Sequence, residues 1–191
     1  LKIASCIGYS FDGDVYESLT GSLDFIPKVE ELAKSYDAFE KPSGSNRYKW
    51  KHQAVYEAVK SLLIKNQTVH IHSMIVEGFE RSGNDMETVR RPDAHRLLAR
   101  HCSLAEKWDG AFMQYMEAGK RAEEMCNFPE AEKMYEEAIV CQGKMSPGPY
   151  LRSRLLPTLR LGSCLRELAR YKEADAVLLR CLNEVETKMS E

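Results

Sequence analysis

The chain has 191 residues, enough to bury a core and to form one larger domain or two small ones. Apolar residues make up 43% and charged residues 29%, which argues against wholesale disorder, and a formal net charge of −2 supplies no global pull towards nucleic acid or an anionic membrane. No apolar run reaches the ~20 residues needed to span a bilayer.

The opening, Leu1-Lys2-Ile3-Ala4-Ser5-Cys6-Ile7, lacks both an initiator Met and a full signal peptide, and reads as a chain entered in mid-helix, a segment of something larger. Leu1–Ile7 and Asp14–Leu19 read as short helices separated by Gly8-Tyr9-Ser10-Phe11-Asp12-Gly13, with Asp12 or Asp14 capping the second. Pro27–Tyr36 is a third, with Val29, Leu32 and Ala33 on one face. Ala38-Phe39-Glu40 and Arg47-Tyr48-Lys49-Trp50 alternate like two short strands joined by the turn Lys41-Pro42-Ser43-Gly44-Ser45-Asn46. Two more helices follow, at about 52–64 and 67–81. Three helices and then a β-hairpin is the layout of a winged helix, placed here at residues 1–82. A polar joint, Arg81-Ser82-Gly83-Asn84-Asp85 through Arg91-Pro92-Asp93, separates it from the rest.

The second half, 93–191, repeats itself. The stretches starting at Trp108, Phe128 and Tyr171 each give an aromatic, an Ala three residues on (Ala111, Ala131, Ala174), and a large residue four beyond that (Tyr115, Tyr135, Leu178). A small residue follows three further along. The alanines let a neighbouring helix approach, the large residues fill space between hairpins, and the aromatic closes the turn from the preceding helix. That pattern resembles the second helix of a tetratricopeptide hairpin, with offsets of 20 and then 43 residues in place of a steady period of about 34. Helices are expected at about 93–106, 109–126, 129–142, 150–169 and 172–188. Gln142 to Pro149 is a loop, and Pro157 should kink its helix or mark a late start.

The order of these pieces resembles a known arrangement. "LKIASCIGYSFDGDVYESL", a strand, "YKWKHQAVYEAVKSLL", "VHIHSMIVEGFE" and then "LLARHCSLAEKWDGAFMQYMEAGKRAEEMCNFPEAEKMYEEAI" are similar to the region that follows the ATPase module in STAND-type signalling ATPases and in soluble adenylyl cyclase-like proteins. The resemblance covers about residues 1–142. It implies a winged helix docked on a nucleotide-binding module, followed by a helical array that holds a protein partner or a neighbouring domain of the same parent, a P-loop ATPase among them. The chain itself carries no P-loop: Gly143-Lys144 is followed by Met145 and lacks the preceding Gly. It is expected to be non-catalytic and to hold no cofactor, any ATPase or cyclase activity belonging to other parts of the parent.

Individual residues support that reading. The cysteines at 6, 102, 126, 141, 164 and 181 show no CxxC and read as free, buried thiols of a reducing, cytoplasmic compartment, which makes the Asn66-Gln67-Thr68 sequon a chance match. His70 and His72 would point about 200° apart on a helix, so they share no metal, and His101 beside Cys102 has the same problem. His52 starts a helix beside the hairpin. Cys6, Ser10, Asp12 and Asp14 lack an orienting His–acid pair, and Asp12-Gly13-Asp14 lacks the other ligands of a calcium loop. The segment Pro27–Tyr36 balances two lysines against two glutamates, where a groove-entering helix carries excess positive charge, so a DNA-binding regulator ranks behind the regulatory arm even with Lys41, Arg47, Lys49 and Lys51 on the hairpin. A structural scaffold in a large assembly is the other alternative. Among the basic residues of the array, Arg152, Arg160, Arg166 and Arg170 are the candidate partner-binding set, aimed at an acidic segment.

Overall fold

The computed structural model describes residues 1–13, 25–42, 44, 47–82, 94–145 and 151–189, and within these ranges the side chains of 12, 25–26, 82, 151–154, 184 and 188–189 lie outside the description. The expected helix Asp14–Leu19 and its cap at Asp14 fall outside the described residues. The chain is mainly α-helical with one small antiparallel sheet, and it divides into two compact units, Leu1–Arg90 with Leu104–Glu106, and Arg91–Ser103 with Lys107–Glu191.

In the first unit the elements are α1 (Lys2–Ile7), β1 (Ser10–Asp12), α2 (Phe25–Tyr36), β2 (Phe39–Glu40), β3 (Arg47–Trp50), α3 (Gln53–Ser61) and α4 (Lys65–Ser82). The strands lie in the order β1-β3-β2, all pairs antiparallel, with Phe11 opposite Tyr48 and Phe39 opposite Trp50. The segment 8–13, expected as a separator, thus contains the strand that completes the sheet. Three residues are too few to show alternation, and the partner that fixes this strand is distant in sequence. Period-2 alternation in β3 puts Tyr48 and Trp50 inward and Arg47 and Lys49 outward. The inward side chains join Ala4, Phe11, Val29, Ala38 and Phe39 in one core. Its rings interlock: Phe11 stacks on Tyr48 at 5.6 Å, Phe39 tilts against Trp50 at 4.6 Å, and Tyr56 meets the Trp50 edge at 5.7 Å. A smaller cluster packs Ile71 and Ile75 of α4 against Ile3 and Ile7 of α1.

The second unit is α5 (Ala94–Leu104), α6 (Trp108–Glu124), α7 (Phe128–Gln142), α8 (Leu151–Glu167) and α9 (Tyr171–Met189), with α6 against α7, α7 against α8 and α8 against α9. α8 begins at Leu151, ahead of the buried Pro157, not at it. Three turns in this part of the chain share one geometry. Glu106, Cys126 and Ala169 take left-handed backbone at φ 57°, 54° and 58°. The next amide in each case reaches back to a carbonyl of the helix just ended: Lys107 to Cys102 at 2.9 Å, Asn127 to Ala122 at 2.8 Å, Arg170 to Leu165 at 2.9 Å. This is the Schellman closure, which satisfies carbonyls that a helix end leaves open. The aromatic that starts the next helix follows directly (Trp108, Phe128, Tyr171), and the alanine three further on is fully buried in all three copies.

Packing between helices repeats as well. Gly119 on α6 lies so close to Tyr135 on α7 that a Cβ there would sit 2.6 Å from the ring. The equivalent Gly162 on α8 would place a Cβ 2.6 Å from Leu178 on α9. These close approaches let Tyr135, Ala131, Leu161, Cys164, Leu165 and Ala174 form a continuous core through α6–α9.

Candidate binding face of the helical array

Helix α8 is the most basic of the second unit: Arg152, Arg154, Arg160 and Arg166 oppose one acid, Glu167, in a chain whose net charge is negative. The arginines singled out from sequence differ in how the structure engages them. The Arg152 side chain lies outside the described ones. Arg170 is committed internally: Nη1 donates to both oxygens of Glu132 at 2.6 and 2.8 Å, while Nε and Nη2 grip Glu173 at 2.8 and 2.7 Å. The two carboxylates raise the guanidinium pKa above its usual value, and the same grip lowers that of Glu173. The Glu132 side chain is only 14% exposed, so Arg170 neutralises a carboxylate that water hardly reaches.

Arg160 plays a weaker version of the same part. Its Nη1 donates to Glu123 at 3.3 Å, and Glu123 in turn accepts from the Cys164 thiol at 3.4 Å. Burial, reinforced by Glu123, pushes that thiol up to about 12, and burial likewise raises Tyr135, whose hydroxyl has no hydrogen-bond partner of normal length. Cys164 is therefore a packing residue and an inert thiol. Arg166 is exposed and makes no ion pair among the described residues.

Sequence reasoning passed over what accompanies the arginines. Leu156 and Leu159 of α8 are 43% and 46% exposed, and with the exposed Ser163 and Arg166 they fall at i, i+3, i+7 and i+10, one stripe along the outer face. Leu161 and Leu165, on the other side, enter the core. The signal was present in the leucine spacing, but the run Leu155-Leu156 beside Pro157 blurs which side faces in.

The remaining candidates are tied into the structure. Lys41 of the hairpin donates to Glu30 at 3.1 Å and to the Tyr48 hydroxyl at 3.0 Å, Lys51 pairs with Asp37, and Lys49 stands 5.8 Å over the Tyr9 ring. His70 is exposed and His72 buried on the same helix, His101 and Cys102 are both buried, and His52 is the exposed N-cap of α3. His95 binds Gln114 through Nδ1 at 2.7 Å. Among the described residues no group of three metal-ligating side chains comes together, and no helix is long and apolar enough to cross a membrane. All six cysteines are free thiols; Cys126, expected to be buried, is exposed because the left-handed turn that it occupies turns its side chain outward. An open cavity of about 310 Å³ lies between α5, α6 and α7, and its rim arginines Arg96 and Arg121 stand 3.5 and 3.6 Å from Glu130 and Glu117. Comparison with known protein families, characterised proteins and solved structures finds none that matches the chain.

Proposed function

We propose that this chain is the non-catalytic regulatory and protein-binding segment of a larger signalling ATPase or adenylyl cyclase-like protein. Its first unit docks on a nucleotide-binding module, and its tetratricopeptide-like array holds a partner. The observation that carries the reading is the repetition in the second unit: the same left-handed turn, aromatic, buried alanine and glycine-on-large-residue approach recur 43 residues apart, at Gly119–Tyr135 and Gly162–Leu178. Stacked hairpins of this kind expose long continuous faces, whose usual work is to hold another polypeptide. In the first unit, the strand order β1-β3-β2 with a helix leading into the β2–β3 hairpin is the arrangement expected of a winged helix.

Duplex DNA is the weaker partner for that winged helix. Lys41 and Lys51 are already paired with carboxylates of the same unit, so replacing them with phosphate contacts means breaking internal ion pairs first. Cross-linking of the chain in its native extract, read by mass spectrometry, tests the reading. Links from residues 1–82 to a P-loop ATPase segment support it. Links confined to structural proteins through residues 93–191 replace it with a scaffold, and salt-sensitive capture of duplex DNA replaces it with a transcription regulator.

A further inference from the structure

We infer that the outer stripe of α8 is the seat of an acidic amphipathic helix supplied by the partner. The inference rests on the partner-holding reading above and names the chemistry of what is held. Leu156 and Leu159 occupy neighbouring positions of the stripe, one turn apart, and leave about half their surfaces in water, whereas Leu161 and Leu165 of the same helix are buried. Ser163 and Arg166 continue the same line, the guanidinium lying about 10 Å further along the axis than Leu159 at 1.5 Å per residue. The positions i, i+3, i+7 and i+10 are those of a helix–helix seam, so the stripe accepts a second helix along its length.

Charge selects the occupant. Helix α8 carries three more positive than negative side chains, four arginines against one glutamate, inside a chain of net charge −2. Of the arginines with described side chains in α8, Arg160 spends one N–H on Glu123 at 3.3 Å and Arg166 makes no ion pair among the described residues. A guanidinium held at the end of an apolar stripe recognises a carboxylate best, by a bidentate fork. The complementary segment is a helix with two apolar residues three or four apart and one or more Glu or Asp about two turns beyond them on the same face. A basic helix is rejected by the same charges, and a bare polyanion gains nothing from the leucines.

The stripe also dictates which residues may be altered in a test. Arg160 neutralises Glu123, whose side chain is only 18% exposed, so reversing Arg160 sets two carboxylates against each other within the fold and confuses binding with stability. Leu156, Leu159 and Arg166 are not members of the buried cluster, so L156S/L159S and R166E should leave the packing of α6–α9 intact, which an unchanged urea midpoint checks.

The test titrates the full chain against a fluorescein-labelled designed helix of about 20 residues, built from Ala, Leu and Glu with two leucines and then two glutamates along one face. Binding is followed by anisotropy at two salt concentrations. The expected result is saturable binding that L156S/L159S weakens by about tenfold or more, and that R166E weakens with loss of most of its salt dependence. The Lys-for-Glu peptide should fail to bind. Absence of binding to the wild-type chain, equal binding by L156S/L159S, or full displacement by heparin at unchanged affinity in all variants overturns the inference. The same variants used in the native-extract cross-linking separate the two levels of the argument. Partner capture that persists in them with links away from α8 sinks this seat and leaves partner holding intact, whereas no capture by wild type sinks partner holding itself.

Discussion

The two units solve the problem of a small core in different ways. The first gathers five large rings, Phe11, Phe39, Tyr48, Trp50 and Tyr56, around a three-stranded sheet whose first strand is distant in sequence from the other two. The second, among its described residues, works by bringing helix backbones close at Gly119, Gly162 and the buried alanines. A ring cluster concentrates stability in a few side chains, and the loss of one opens a cavity. Close helix approach spreads stability along the array, and the sensitive direction is addition of atoms, not their removal.

That contrast is broken most sharply by Trp50→Ala. The indole is fully buried between Phe39 and Tyr56, and its removal should cost the first unit about 3–5 kcal/mol. Hydrogen exchange read by peptide should show lost protection across residues 1–82. If α6–α9 lose protection equally, the division of stability drawn here is wrong. Trp50→Phe should be far milder, because the Trp50 Nε1 is a buried donor without a partner and phenylalanine removes that liability along with some volume.

The next largest effect tests the other side. Gly119→Ala and Gly162→Ala add one carbon each, 2.6 Å from Tyr135 and Leu178. Alanine gains about 1 kcal/mol in helix propensity, yet overpacking should outweigh it for a net loss of about 1–2 kcal/mol in denaturant unfolding. Gly162→Ala should be the milder of the two, since Leu178 has rotamers to retreat into and the Tyr135 ring, at 0% exposure, has none. A stabilised Gly119→Ala protein would show that the close approach is not what holds the array.

The same difference explains what the sequence disclosed. Helices α5–α9 are legible to within about two residues at most ends, and α6, α7 and α9 are marked locally by an aromatic, an alanine three on and a turn before it. The β2–β3 hairpin is legible from Phe39 and from the alternation Arg47 to Trp50. Strand β1 is not, since its reason for being a strand is Tyr48 across the sheet. The candidate site was half visible. Charge pointed to the arginines, but which of them is spent internally depends on Glu123 and Glu132 arriving from α6 and α7, and no spacing within α8 reports that.

A smaller effect, of opposite sign, sharpens the comparison at the turns. Glu106, Cys126 and Ala169 hold left-handed backbone that an L side chain adopts at a cost, and glycine does not. Cys126→Gly and Ala169→Gly should each stabilise the array by up to about 1 kcal/mol in urea unfolding. Asp37 in the first unit has the same backbone sign at φ 52°, but aspartate tolerates it better and its carboxylate holds Lys51, so Asp37→Gly should gain nothing. Equal gains at all three positions would mean that the turns of the two units are interchangeable.

The smallest effect is the acid response. Glu30, hydrogen-bonded by Lys41, and Glu173, gripped by Arg170, both have pKa values lowered below the ordinary 4.5. A depressed carboxylate binds fewer protons folded than unfolded below 4.5, so its stabilisation is complete above that pH and disappears as the pH falls through the folded value. Both groups are solvent-exposed, so screening keeps each contribution small and salt-sensitive. The two units should nevertheless answer differently to one change each. Lys41→Gln should flatten the acid dependence of the first unit alone. Arg170→Gln should flatten that of the second and also lower its stability at neutral pH, because it abandons the poorly hydrated Glu132 as well as Glu173. Urea midpoints at pH 3.5 and 7, with hydrogen exchange to assign each loss to its unit, separate a pair that only decorates the surface from one that neutralises a carboxylate between packed helices.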